Sequence, residues 1–177
     1  IDSIEQTMGE LDRLASGLHI PDGAPIYEAI ARLNHHLFDV HGFGGMEGDF
    51  DAPENSVLSS VLERKQGLPI LLSLIYIEVG RRVGIQLSGV GFPTHFMVMP
   101  VDVEPRFFID PFHKGEIMRP DQMHRWFNRI AEKFPDPLTC FEHWVHPVNH
   151  RIMMVRINNN LKHSFMLRGD LEGALRA

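Results

Sequence analysis

Two side chains with chemistry to offer stand at the ends of neighbouring apolar segments. His95, in Thr94-His95-Phe96, opens one segment, and Asp110, in Ile109-Asp110-Pro111-Phe112, closes the next. An imidazole beside a carboxylate is either a base whose tautomer is held or a pair of buried polar groups that satisfy one another. Eleven histidines also raise the question of metal ligation. His143, His146 and His150 fall within eight residues, and His35, His36 and His41 form a second group. On one continuous helix the first three would share a face, as zinc ligands do, but Pro147 interrupts that continuity. With no HExxH and no CxxC pattern, neither a metal nor another cofactor is expected. Cys140, next to Phe141 and near Trp144, reads as a small packed side chain rather than a reactive thiol.

The elements that must position His95 and Asp110 follow from hydrophobic periodicity. From Pro69 to Val83 the apolar residues Ile70, Leu71, Leu74, Ile75, Ile77 and Val83 cover most of a helix circumference, which predicts a buried helix. Pro69 suits its first turn and Gly84 a left-handed stop. The period then changes to two. Leu87, Val90 and Phe92, then Phe96 and Val98, then Phe107 and Ile109, predict three short strands. Upstream, the spacing predicts helices over 2–18, capped by Asp2 or Ser3, and from Ile26 to near Gly42. A loop then runs to Glu54, and a third helix is capped by Asn55 or Ser56 and closed by Gly67. Downstream, a helix opens at Pro120-Asp121 and is ended by Pro135 and Pro137. Helical spacing resumes from Pro147, with a turn at Gly169-Asp170.

A buried helix entering antiparallel strands, with a His opening one and an Asp closing the next, resembles a papain-like or transglutaminase-like core. Gly67-Leu68-Pro69 at the helix start and Arg81-Arg82-Val83-Gly84-Ile85 at its end match the family's helix boundaries, with Pro69 where that family has its nucleophilic cysteine. The wording Leu62-Glu63-Arg64-Lys65-Gln66-Gly67-Leu68-Pro69-Ile70, with Pro93-Thr94-His95-Phe96 and Ile109-Asp110-Pro111-Phe112, resembles the bacterial SirB-type branch. There a transglutaminase-like domain precedes tetratricopeptide-type helices, and a related domain occurs in a vertebrate F-box protein. Leu33-Asn34-His35-His36-Leu37-Phe38, His41-Gly42-Phe43-Gly44-Gly45 and Pro53-Glu54-Asn55-Ser56 resemble the same family's opening, although Met46 stands where Asn is expected.

The resemblance implies an α+β fold, a buried central helix on a small antiparallel sheet with helices on either side. Residues 1–145 would form the transglutaminase-like domain and 146–177 a helical hairpin like the start of a tetratricopeptide repeat. It implies that His95 and Asp110 touch, as a remnant catalytic pair. Ser73, one helical turn beyond Pro69, is the substitute nucleophile to consider, against a hydroxyl that bonds back to a carbonyl. Asn55, Glu63, Arg64 and Pro69 are the expected cleft-lining or binding residues. For Asn55 the alternative is a helix cap, and for Glu63 and Arg64 a local ion pair.

Composition narrows the partners. The 177 residues, 44 % hydrophobic and 23 % charged, suit one well-packed domain with a small appendage. A net charge of −6 without a Lys/Arg block argues against nucleic acid and against an anionic membrane surface. The run from Leu68 to Val79 is too short to span a bilayer and contains Ser73 and Glu78. A lone cysteine fits a reducing, cytoplasmic setting. The chain opens at Ile1 and stops inside an apparent helix, as a fragment of a longer protein would.

Three functions are therefore weighed. The leading one is a non-catalytic binding or scaffolding module, with a His-Asp pair but no nucleophile, a cleft for a peptide or small carbonyl ligand, and a protein partner on the C-terminal helices. The second is an amide or ester hydrolase in which His95 activates water or Ser73. The third is a metal-assisted hydrolase built on the His143 group.

Overall fold

The computed structural model describes residues 4–132 and 141–177. The Asp2 or Ser3 cap, the stops at Pro135 and Pro137, and Cys140 lie outside the described residues. The fold is α+β, as expected. Helices α1 (Ile4–Ser16), α2 (Ile26–Asn34) and α3 (Leu58–Arg64) lead into α4 (Pro69–Arg82), then β3 (Leu87–Phe92), β4 (His95–Pro100) and β5 (Phe108–Asp110) follow. β1 (Gly44–Gly45) and β2 (Gln66–Gly67) make a separate parallel pair that clamps the chain just ahead of α4. After β5 come β6 (Glu116–Met118), α5 (Pro120–Ala131), β7 (Pro147–Val148), α6 (His150–Leu167) and α7 (Leu171–Arg176). The main sheet is antiparallel with strand order β6-β5-β4-β3-β7.

Helix α4 is the axis of the fold. Ile70, Leu71, Leu72, Ile75, Tyr76, Ile77 and Val79 are all buried, so its apolar residues face neighbours on nearly every side. Pro69 takes the first helical position, and Gly84, at φ 85°, lets the chain turn back after the helix. The strands alternate between two cores. Phe96 and Val98 of β4 pack with α4, while Met97 and Met99 face the opposite layer with Val90, Phe92 and Phe108, under Met123 and Phe127 of α5. The sheet is thus buried on both faces, which requires apolar residues at successive positions.

Several boundaries differ from expectation. Lys65, not Gly67, ends α3 in the left-handed region at φ 61°, and Gly67 pairs in β2, where a Cβ would come within 2.7 Å of Val61. The residue before α3 is Val57, with no side-chain cap, so neither Asn55 nor Ser56 caps it. Pro147 starts no helix. It pairs with Val90 at the sheet edge, and Asn149 caps α6 by accepting from the Ile152 amide at 3.0 Å. The second helix gives way to a π-helical stretch at His35–Val40. Helices α6 and α7 form a hairpin across Gly169, with Asp170 capping α7 through the Gly173 amide.

Candidate functional site

His95 is placed by the tight turn between β3 and β4. Phe92 pairs with His95 across a two-residue connection in which Thr94 adopts φ 61°. Asp110 ends β5, where the chain passes into a 3-10 turn at Pro111–His113. The two meet: His95 Nε2 lies 2.8 Å from Asp110 Oδ2. His113 Nδ1 lies 2.8 Å from the same oxygen. The other oxygen, Oδ1, accepts from the backbone amides of Phe112 at 3.0 Å and His113 at 3.4 Å.

An ionised carboxylate only accepts, so both ring nitrogens facing it carry the proton. On a neutral ring that leaves Nδ1 of His95 as a lone pair, and Nδ1 has no hydrogen-bond partner among the described residues. Burial pushes the Asp110 carboxyl up, but hydrogen bonds and charge from His95 and His113 outweigh it and hold the group below the usual carboxylate range. The His95 side chain is 12 % exposed, Asp110 4 % and His113 60 %. Phe112 and Trp126 fence the His95 ring, with centroids 6.1 and 5.6 Å away.

His95 opens onto a cleft of about 350 Å³. Its floor is apolar, made by Leu68, Pro69, Ile70, Phe96 and Phe112, and Arg156, Asn160 and His163 of α6 form one wall. Of the expected binding residues, Pro69 alone lines it. Asn55 is buried and ties down the 42–54 loop, donating to the Asp49 carbonyl at 2.8 Å and to Met46 Sδ at 2.9 Å. Arg64 donates to Asn55 Oδ1 at 3.0 Å and makes no ion pair with Glu63. Glu63 borders a different groove, between α1 and α3. Ser73 is fully buried, its hydroxyl 3.5 Å from the Phe96 carbonyl, so it presents no nucleophile to the cleft.

His113, Trp126, Arg156, Asn160 and His163 were not singled out from sequence. His113 had the nearest signal, three residues after Asp110 in a run that Pro111 turns. A ring nitrogen of His95, a carboxylate oxygen of Asp110 and a ring nitrogen of His113 lie within 4.8 Å of one another, a set that could also hold a first-row divalent ion. Ligation would require both rings to move their proton to the other nitrogen, so His95 could not be ligand and base at once. The histidines of the metal-assisted alternative fare differently. Strand β7 separates His146 from His150, so these histidines share no helix.

The sequence profile described as the transglutaminase-like superfamily matches residues 4–159. A UPF0162 protein of Xylella fastidiosa is 38 % identical over 143 residues, covering 80 % of this chain and 50 % of its own length. A UPF0162 protein of Vibrio cholerae is 31 % identical over 120 residues, covering 67 % of this chain and 42 % of its own. F-box only protein 21 of Mus musculus is 32 % identical over 97 residues, covering 50 % of this chain and 16 % of its own. The chain spans about half the length of the first of these curated relatives. No solved structure matches it significantly. Among the described residues no helix is long and apolar enough to cross a membrane. A profile match over most of the chain, on a buried helix and sheet that bring His95 and Asp110 together, establishes that the chain belongs to the transglutaminase-like superfamily.

Proposed function

We propose that this chain is a non-catalytic transglutaminase-like domain of the SirB type, a binding or scaffolding module that keeps the cleft and the His-Asp pair without the nucleophile. One observation carries the reading. Pro69, which the resemblance aligns with the superfamily's cysteine, heads α4 and lines the same cleft as His95. A base without an attacking group can accept a hydrogen bond from a ligand but cannot form an acyl intermediate. The expected occupant is a peptide or small carbonyl compound. In this reading residues 146–177 begin a tetratricopeptide-type array, α6 and α7 offer a surface to a protein partner, and the setting is cytoplasmic.

A second reading, hydrolysis by water activated at His95, draws on the unpartnered Nδ1 and the Asp110 hydrogen bond behind it. A panel of fluorogenic acyl amides and esters, run with wild type and His95→Gln, separates the two. The binding module predicts no turnover that depends on His95. Turnover abolished by His95→Gln in a folded protein overturns it in favour of the hydrolase.

A further inference from the structure

Helix α6 turns an unusual face to the cleft. Met153 and Ile157 are buried in the core, yet the neighbouring positions Arg156, Asn160 and His163, at helical spacing, are polar and line the cleft above its apolar floor. Arg156 is the unusual member. Its Nη2 donates to the carbonyls of Phe92 at 3.0 Å and His95 at 3.2 Å, its guanidinium lies 5.3 Å from the Phe96 ring centre, and Gly91 leaves room for Nη1. No carboxylate pairs with it among the described residues, and Asp51 on the rim makes no ion pair with it. Arg82 shows the ordinary solution, with Asp12 at 2.7 Å and Glu78 at 2.6 Å. Burial lowers the Arg156 pKa with no acid to oppose it, whereas the two acids raise that of Arg82. A guanidinium drawn from water without an anion is costly, and its remaining N–H groups have no acceptor among the described residues.

We propose that the cleft binds the carboxylate of a short peptide, held by Arg156 with Asn160 and His163 as flanking donors, while the apolar floor takes the peptide's carbon body. This rests on the reading of the cleft as a ligand site and names the chemistry of its occupant. The carboxylate comes from a peptide C-terminus or from an acidic side chain, and three probes distinguish these sources. They are N-acetyl-alanyl-leucine as the free acid, the same peptide as its C-terminal amide, and N-acetyl-glutamyl-leucine amide.

Each probe is titrated into ¹⁵N-labelled protein while the Arg156 side-chain N–H and the His95 and His163 ring signals are followed. At least one acid probe should shift these signals saturably, with the neutral amide weaker by roughly tenfold or more. Free-acid binding alone marks a C-terminus, and binding of the glutamyl probe marks an acidic side chain. Asn160→Asp, a substitution at an exposed helix position, should weaken the acid probes far more than the amide. Arg156→Gln should do the same, but it also removes the bonds to the Phe92 and His95 carbonyls, so Asn160→Asp is the cleaner variant. Equal binding of acid and amide overturns the carboxylate proposal and leaves the cleft a ligand site. Absence of shifts with all three also overturns it, while the non-catalytic reading still stands or falls on the turnover assay.

Discussion

Replacing Asp110 with Asn tests the centre of the site, because it removes a charge while keeping the shape. Oδ1 must remain an oxygen to accept the Phe112 and His113 amides, so the new NH₂ falls where Oδ2 was, against two imidazole N–H groups. His113, 60 % exposed, can turn to water. His95, 12 % exposed, can keep a hydrogen bond only by moving its proton to Nδ1, which turns Nδ1 from acceptor to donor. Two charge-assisted bonds are lost and one neutral bond regained, a cost of about 2–3 kcal/mol. For a chain of this size that lowers Tm by about 4–12 °C. The Asp110 pKa lies below its unfolded value, so its stabilisation is fully present above the ordinary carboxylate range and is lost as pH falls through the depressed folded value. Asn has no such dependence. Urea unfolding of both proteins should show the widest gap near neutral pH, closing in strong acid. A neutral-pH gap below about 0.5 kcal/mol, or one that acidification leaves unchanged, refutes the reasoning.

Tyr76→Phe should cost about 1–2 kcal/mol in chemical denaturation, because the buried hydroxyl donates at 2.7 Å to Asn34 Oδ1, which then loses that donor while its amide still holds the Gly115 carbonyl. Gly91→Ala places a Cβ 2.7 Å from Arg156 Nη1. The guanidinium should swing away, releasing the His95 carbonyl at a cost of about 1 kcal/mol and shifting the Arg156 side-chain N–H signal. Ser73→Ala should cost less than about 1 kcal/mol, since its hydroxyl makes one long contact, and should leave any hydrolysis intact. Hydrolysis lost in a folded Ser73→Ala protein would restore Ser73 as a nucleophile.

Helix α4 was legible from sequence because its signal is redundant: apolar on most sides, Pro at its start and a left-handed Gly just past its end. Strands β3 and β4 were legible because six residues suffice to show a period of two. Strands β6 and β7, of three and two residues, show no period and exist only because a neighbouring strand offers its edge. Asn55 was ambiguous for a related reason: its amide serves partners at Asp49, Met46 and Arg64 rather than the helix beside it. His95 and Asp110 were reachable through the motifs around them. Arg156 was not, since its acceptors lie 64 and 61 residues away, and on α6 alone a polar residue facing a cleft looks like one facing water.

The order of the sheet bears on how the chain is made. Strand β3 lies between β4 and β7, so one of its edges stays open until Pro147 and Val148 arrive, more than fifty residues after β3 itself. During synthesis that edge is exposed backbone, able to pair with another chain. Arg156, which grips the turn carrying His95, follows only a few residues later. His95 therefore gains the last of its described supports late in translation. A protein cut at residue 145 should keep α4 and β3–β5 yet expose an edge that favours aggregation, with His95 left on an untethered turn.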